Sequence, residues 1–206
     1  KTIGGYFHDK LIGMSSTNDM GFILAGQSWS DISGEKTENS RGQGDYWLVK
    51  VNTDTGNLIW QKTIGGINFD HLTSGIETID GGYILGGYSS SGISSEKTEN
   101  SRGGDDYWVI KLNMLGELVW QKTLGGTDGD FATCIQQTSD NGYILAGTTA
   151  SNDGDITGNH GNGDYWVVKL ASDNLDTFEF EFVKNSIIYP NPSNSYFAIQ
   201  NKELSS

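Results

Sequence analysis

Asp45-Tyr46-Trp47 returns as Asp106-Tyr107-Trp108 and again as Asp164-Tyr165-Trp166, and the recurrence is not confined to that triplet. Lys1-Thr2-Ile3-Gly4-Gly5, Lys62-Thr63-Ile64-Gly65-Gly66 and Lys122-Thr123-Leu124-Gly125-Gly126 form a second series. The stretches 21–26, 82–87 and 142–147, each bounded by glycines, form a third. Lys62 follows Lys1 by 61 residues and Lys122 follows Lys62 by 60. A period of this length is one supersecondary unit copied in tandem, and such units bury their apolar faces by stacking on their neighbours. Lys1 to Gly5 match the closing part of a unit whose opening does not precede them, so the chain reads as a fragment cut at its start.

Within residues 67–126, period-two alternation and turn residues divide the unit into four short strands. His71 to Thr78 is the first, and Ile79-Asp80-Gly81-Gly82 makes the turn. Tyr83 to Gly87 is the second, ending in glycines where a neighbouring backbone can approach closely. A long polar loop leads to the third, Asp106 to Leu112, which places Trp108, Ile110 and Leu112 on one face and Tyr107, Val109 and Lys111 on the other. Both faces are largely apolar, the pattern of a sheet packed on two sides. Asn113 to Gly116 turns the chain into the fourth strand, Leu118 to Leu124. The 29 glycines against two prolines suit short strands joined by turns. The expected class is therefore all-β.

Four-stranded antiparallel units covered on both faces and repeated in tandem are the blades of a β-propeller. The glycine-ended second strand, the aromatic third strand and the later tryptophan resemble the kelch type. The string Val51-Asn52-Thr53-Asp54-Thr55-Gly56-Asn57-Leu58-Ile59-Trp60 resembles the tryptophan-docking repeat of quinoprotein propellers. The expected blades are 1–66, 67–126 and 127–183. Trp47, Trp60, Trp108, Trp120 and Trp166 are expected to anchor blade to blade, because each indole buries a large area. In the third blade Phe178, within the alternating run Thr177 to Phe182, takes the place of the fourth-strand tryptophan. Three blades make an incomplete ring, which leaves the N-terminal face of the first blade apolar and exposed.

After Lys184 the composition changes, and both prolines fall within Ile187-Ile188-Tyr189-Pro190-Asn191-Pro192-Ser193-Asn194-Ser195-Tyr196-Phe197-Ala198-Ile199. This short C-terminal β segment, 184–206, resembles the opening of the C-terminal sorting domain recognised by the bacterial type IX secretion system, in which Tyr-Pro-Asn-Pro precedes a turn and then Phe-x-Ile. Ser195 stands where that family commonly has glycine. The resemblance implies the type IX secretion machinery as a partner and an extracellular or outer cell-surface location.

Charge narrows the other partners. With 13 basic against 26 acidic residues the net charge is -13, which repels nucleic-acid backbones and anionic headgroups. No apolar run approaches the roughly 20 residues of a membrane-crossing helix, so insertion is not expected. Cys134, the single cysteine, lies in the alternating stretch Phe131 to Ile135 and is expected to be a small buried thiol.

Repetition also sorts the candidates for chemistry, since a catalytic group is needed once and a turn in every blade. Asp9, Asp70 and Asp130 fall in register, as do Asp19, Asp80 and Asp140, and both sets read as turn- and loop-capping carboxylates. His8, His71 and His160 lack a zinc-binding spacing. Glu35 to Gly42 and Glu96 to Gly103 are identical loops, Glu-Lys-Thr-Glu-Asn-Ser-Arg-Gly, which points to recent duplication or to a shared ligand surface. The third blade instead offers Asp153, Asp155, Thr157 and Asp164 with Gly158, an oxygen spacing similar to a calcium loop. A solvated loop is the other reading of that stretch.

The favoured function is a non-enzymatic secreted or surface module whose loops bind a glycan or a protein. The alternatives are part of a propeller-class hydrolase or lyase acting on glycans, using loop acids such as Asp31 and Asp153, and a structural spacer.

Overall fold

Alternation of period two becomes eleven strands and no helix in the computed structural model, which describes residues 1–172. The first blade is β1 (Asp9–Thr17), β2 (Gly21–Ser28), β3 (Asp45–Asn52) and β4 (Leu58–Ile64). The second is β5 (Asp70–Glu77), β6 (Tyr83–Ser89), β7 (Asp106–Leu112) and β8 (Leu118–Leu124). The third has β9 (Asp130–Gln137), β10 (Tyr143–Thr149) and β11 (Asp164–Leu170). Each sheet is an antiparallel meander with strands in sequence order, and none closes into a barrel. The architecture is thus tandem blades in an incomplete ring. The expected fourth strand over Thr177 to Phe182 and the segment 184–206 lie outside the described residues.

The turn from first to second strand needs a left-handed residue, and Met20, Gly81 and Asn141 fill that place with φ of 60°, 79° and 64°. Glycine and asparagine adopt this conformation readily, whereas Met20 does so at a steric cost. Each first strand also carries a bulge, at Leu11/Gly13, Leu72/Ser74 and opposite Ala146/Gly147. The bulge resets alternation, because one extra residue on the strand turns every following side chain to the other face. It corrects the expectation for Cys134: Ala132 and Ile135 point into the seam with the second blade, and Cys134 is exposed.

Between the blades lie two continuous apolar seams. The first joins Ile23, Ala25, Tyr46, Leu48 and Ile64 to Leu72, Tyr83, Leu85, Trp108, Ile110 and Leu112. The second joins Ile84, Tyr107, Val109 and Leu124 to Ala132, Ile135, Tyr143, Leu145 and Leu170. Successive first strands touch one another, β1 with β5 and β5 with β9, so they form the inner edge of the arc.

One tyrosine locks each seam. The Tyr46 ring lies 5.1 Å from Trp108 and its hydroxyl donates to the Trp108 carbonyl at 3.3 Å. Tyr107 repeats this on Trp166, at 4.5 Å between rings and 3.1 Å for the hydrogen bond. Trp60 and Trp120 meet Tyr83 and Tyr143 of the following blade, as anchors should. Trp47 differs. It faces away from the second blade, packed with Ile3, Phe22, Leu24 and Leu58. The closing motif at Lys1 to Gly5 therefore covers Trp47, while Leu11 and Met14 on the same blade stay exposed.

Candidate functional site

Residues that repeat in register hold the blades together at one end. Asp70 accepts hydrogen bonds from Gly66 N at 2.6 Å, Ser89 Oγ at 2.5 Å and Ser91 Oγ at 3.2 Å. Asp9 does the same with Gly5, Ser28 and Ser30, and Asp130 with Gly126, Thr149 and Ser151. These carboxylates tie the closing motif of one unit to the first strand of the next. Asp19, Asp80 and Asp140 cap the turns, each accepting from a threonine hydroxyl and from a lysine on the third strand. Both aspartate series are therefore structural, as their repetition implied.

The identical loops do the same kind of work. Lys97 is buried beneath its own blade, 4.9 Å from the Trp108 ring centroid, and donates to Thr123 Oγ1 at 2.6 Å. Burial pulls its ammonium down to about 8. Lys36 repeats the arrangement on Trp47 and Thr63. Arg41 reaches into the next blade to pair with Glu96 at 2.9 Å, and Arg102 likewise pairs with Asp155. Each of the strongly placed loop residues thus has a packing or bridging partner, a physical reason for the loops to match.

That comparison also accounts for the third-blade loop. Asp153 accepts from Thr127 N at 2.8 Å, where Ser94 Oγ accepts from Ile67 N at 3.0 Å. Asp155 accepts from Gly125 N at 3.1 Å, where Glu96 accepts from Gly65 N at 3.3 Å. Gly154 holds the positive φ of Ser95, and Ile156 is buried where Lys97 is buried. Asp164 accepts from His160 N at 2.5 Å, and Thr157 is exposed. The structure gives these carboxylates three separate sets of partners. Among the described residues no group of three or more His, Cys, Asp or Glu side chains could hold a metal ion.

The buried acids set a pH dependence. Burial raises Asp70 and Asp106 to about 6 from an ordinary value of 3.8, and raises Asp45 and Asp105 in the same direction. The Asp106 Oδ1 atom has no hydrogen-bond partner, so the charged form is poorly served there. A raised carboxyl pKa means that the folded chain binds protons more tightly than the unfolded chain, and stability falls as pH rises through 6. Asp19, Glu38, Asp80 and Asp140 are lowered and lose their contribution only below the ordinary carboxylate range. His71, lowered by burial, opposes the trend as a single group. Going from pH 7.5 to 5 should stabilise the chain by on the order of 1–2 kcal/mol, a rise of roughly 3–6 °C in Tm. A thermal melt followed by tryptophan fluorescence checks this, and Asp106→Asn should flatten the slope.

A second group of residues occupies the same strand ends but does not repeat. In register across the blades stand His8, Phe69 and Gly129; Lys10, His71 and Phe131; Gln27, Tyr88 and Thr148; Trp29, Ser90 and Ala150; and Gly44, Asp105 and Gly163. Alternation places them on the side of the strands opposite the structural aspartates and serines. Together they form a strip across the inner strands. The His71 ring stacks on Phe69 at 5.6 Å and on Tyr88 at 4.8 Å, and Tyr88 meets Phe131 edge to face at 5.0 Å. Gln27 Nε2 lies 2.9 Å from His71 Nδ1. Trp29 packs on Gly44, where a Cβ would come within 2.8 Å of the indole, and lies 5.3 Å from the His8 ring. Gly44 in turn bridges to Phe69, which makes the strip continuous from His8 to Phe131.

The rings of the strip are half-exposed or exposed, Gln27 and Gly44 are buried, and polar groups such as Asp105 stand beside the rings. Burial lowers His71, favouring a neutral imidazole, and raises the Tyr88 phenol and the Asp105 carboxyl. Such a surface can stack a ring-shaped ligand and hydrogen-bond its substituents. Sequence reasoning passed over it, although one signal was available: Trp29 is the sixth tryptophan and falls outside the register of the other five. No protein-family model matches the chain, and no curated protein matches it.

Proposed function

We propose that this chain is a β-propeller repeat segment of a secreted or cell-surface protein, a binding module without catalytic activity, whose ligand is a glycan held on the strip from Trp29 to Phe131. The observation that carries this reading is variation in the midst of repetition. The aspartates, serines, lysines and arginines that hold the blades recur, whereas the half-exposed rings beside them appear once each. A task performed once per molecule needs such a set, and pyranose faces stack on aromatic rings while their hydroxyls use groups like the part-exposed Asp105. Export by the type IX secretion system, through the Tyr189-Pro190-Asn191-Pro192 segment, supplies a setting in which glycans are met.

A panel of neutral and acidic glycans titrated against the 206-residue chain tests the ligand. Trp29→Ala and His71→Ala should each weaken the tightest binder at least tenfold, about 1.4 kcal/mol. Cleavage of a panel member would overturn the non-enzymatic reading. Binding only to a protein partner would overturn the choice of a glycan.

A further inference from the structure

One position on the second strand reaches across both seams into the strip. Gln27 on β2 sets its amide nitrogen 2.9 Å from His71 Nδ1 on β5, and Tyr88, its counterpart on β6, meets Phe131 on β9 at 5.0 Å. Gln27 is 4% exposed, and His71 is half-buried on the middle blade, flanked by the first and the third. A third group fixes the direction of the Gln27–His71 hydrogen bond. Gln27 Nε2 also lies 3.5 Å from the Asp70 carbonyl oxygen. Turning the amide over would set Oε1 against that carbonyl, acceptor on acceptor, so the amide NH2 group keeps its place and donates to both partners. An amide nitrogen cannot accept. His71 Nδ1 is therefore the bare nitrogen of a neutral ring, and the ring proton sits on Nε2. Stacking on Phe69 and Tyr88 holds the ring plane, and Nε2 has no hydrogen-bond partner among the described residues.

We propose that Gln27 is a positioning residue of the strip: it fixes His71 in the Nε2–H tautomer, so that a bound glycan meets a neutral donor there and must offer it a hydroxyl or ring oxygen. This rests on the reading of the strip as a glycan site and adds what that site selects. A hydroxyl that accepts from Nε2–H keeps its own proton to donate, and the Asp105 carboxylate is the acceptor in the strip for it. A protonated amino sugar would bring a second donor to the same point and is disfavoured. Burial keeps the imidazole neutral ahead of its charged neighbours, Asp105, which favours a proton on the ring, and Lys10, which opposes one. The Tyr88 phenol stacked on the ring is held neutral by burial too.

Long-range proton–nitrogen correlation spectra of the 206-residue chain, with His71 assigned by its absence from His71→Ala, read the tautomer without any ligand or change at Gln27. At pH 7.5 Nε2 should carry the proton and Nδ1 should be bare; a proton on Nδ1 would overturn the proposal. Gln27→Glu is the matched variant, because a carboxylate accepts where the amide donates. In alkali the ring proton then moves to Nδ1 and leaves Nε2 bare, whereas one proton added to the new pair restores Nε2–H. Affinity for the tightest glycan of the panel is compared with wild type at the same pH, so that Asp105 titrates in both. Gln27→Glu should bind at least tenfold more weakly at pH 8.5, about 1.4 kcal/mol, and within about threefold of wild type at pH 6. Equal affinity at pH 8.5, or a loss that persists unchanged at pH 6, would contradict the role of Gln27 while leaving the glycan site standing. A panel with no binder, even with the tautomer as expected, would instead overturn the glycan reading and with it this account of what His71 selects.

Discussion

Trp108→Ala should cost about 3–5 kcal/mol of unfolding free energy, the range for removing a buried aromatic without collapse of the site. The side chain is fully buried in the first seam and meets three groups at once. The Tyr46 ring lies 5.1 Å away, the Lys97 ammonium 4.9 Å from the ring centroid, and Gln121 Oε1 accepts from the indole nitrogen at 2.9 Å. Removal leaves Lys97, already short of water, without the ring face that favours its charge. The loss is large beside the 5–15 kcal/mol typical of a whole domain. Urea denaturation monitored by circular dichroism reads it. A loss below about 1 kcal/mol would mean that the seam is not what binds the first blade to the second.

The second large effect comes from adding one carbon. Gly87→Ala places a methyl 1.9 Å from the His71 carbonyl oxygen and 2.4 Å from the Tyr46 hydroxyl. The first is backbone and cannot step aside without breaking the ladder beside the bulge, while the second must withdraw and abandon its bond to Trp108. Forced overpacking of this kind costs about 3 kcal/mol. Gly13→Ala is the matched control, because a Cβ there meets nothing within 4 Å. The account expects a melting temperature close to wild type for Gly13→Ala and a fall of many degrees for Gly87→Ala. Equal effects would deny the glycine its role as the entry for tyrosine.

The blade plan was readable from the chain because two signals agreed, the period near sixty residues and the period of two within each strand. Strands β7 and β8 begin and end where their alternation does. Strand β6 runs on to Ser89, past the expected end at Gly87, because Gly86 and Gly87 are not stops but places of close approach. Cys134 was misplaced for a related reason: a bulge reverses facing without changing composition, so alternation read across it points the wrong way. The loops of Glu35 to Gly42 and Glu96 to Gly103 looked like a surface kept for a ligand or a relic of duplication. Their lysines and arginines turn out to be bound to partners in other strands and other blades, contacts that no local pattern announces. The strip around His71 was hidden by the converse difficulty. Its members lie far apart in sequence and share no motif, and only subtraction of what repeats brings Trp29, His71, Tyr88 and Phe131 into view.

In the proposed function, repeated residues hold this molecule together and unrepeated residues meet a ligand, and one paired measurement separates them. Trp29→Ala and Arg41→Ala are each assayed for melting temperature and for affinity toward the best glycan of the panel. Arg41 ties two blades through Glu96, so its loss should lower the melting temperature and leave affinity within about twofold of wild type, a difference under 0.5 kcal/mol. Trp29→Ala should do the reverse, with affinity down at least tenfold and melting little changed. Affinity lost on Arg41→Ala and untouched by Trp29→Ala would contradict the division.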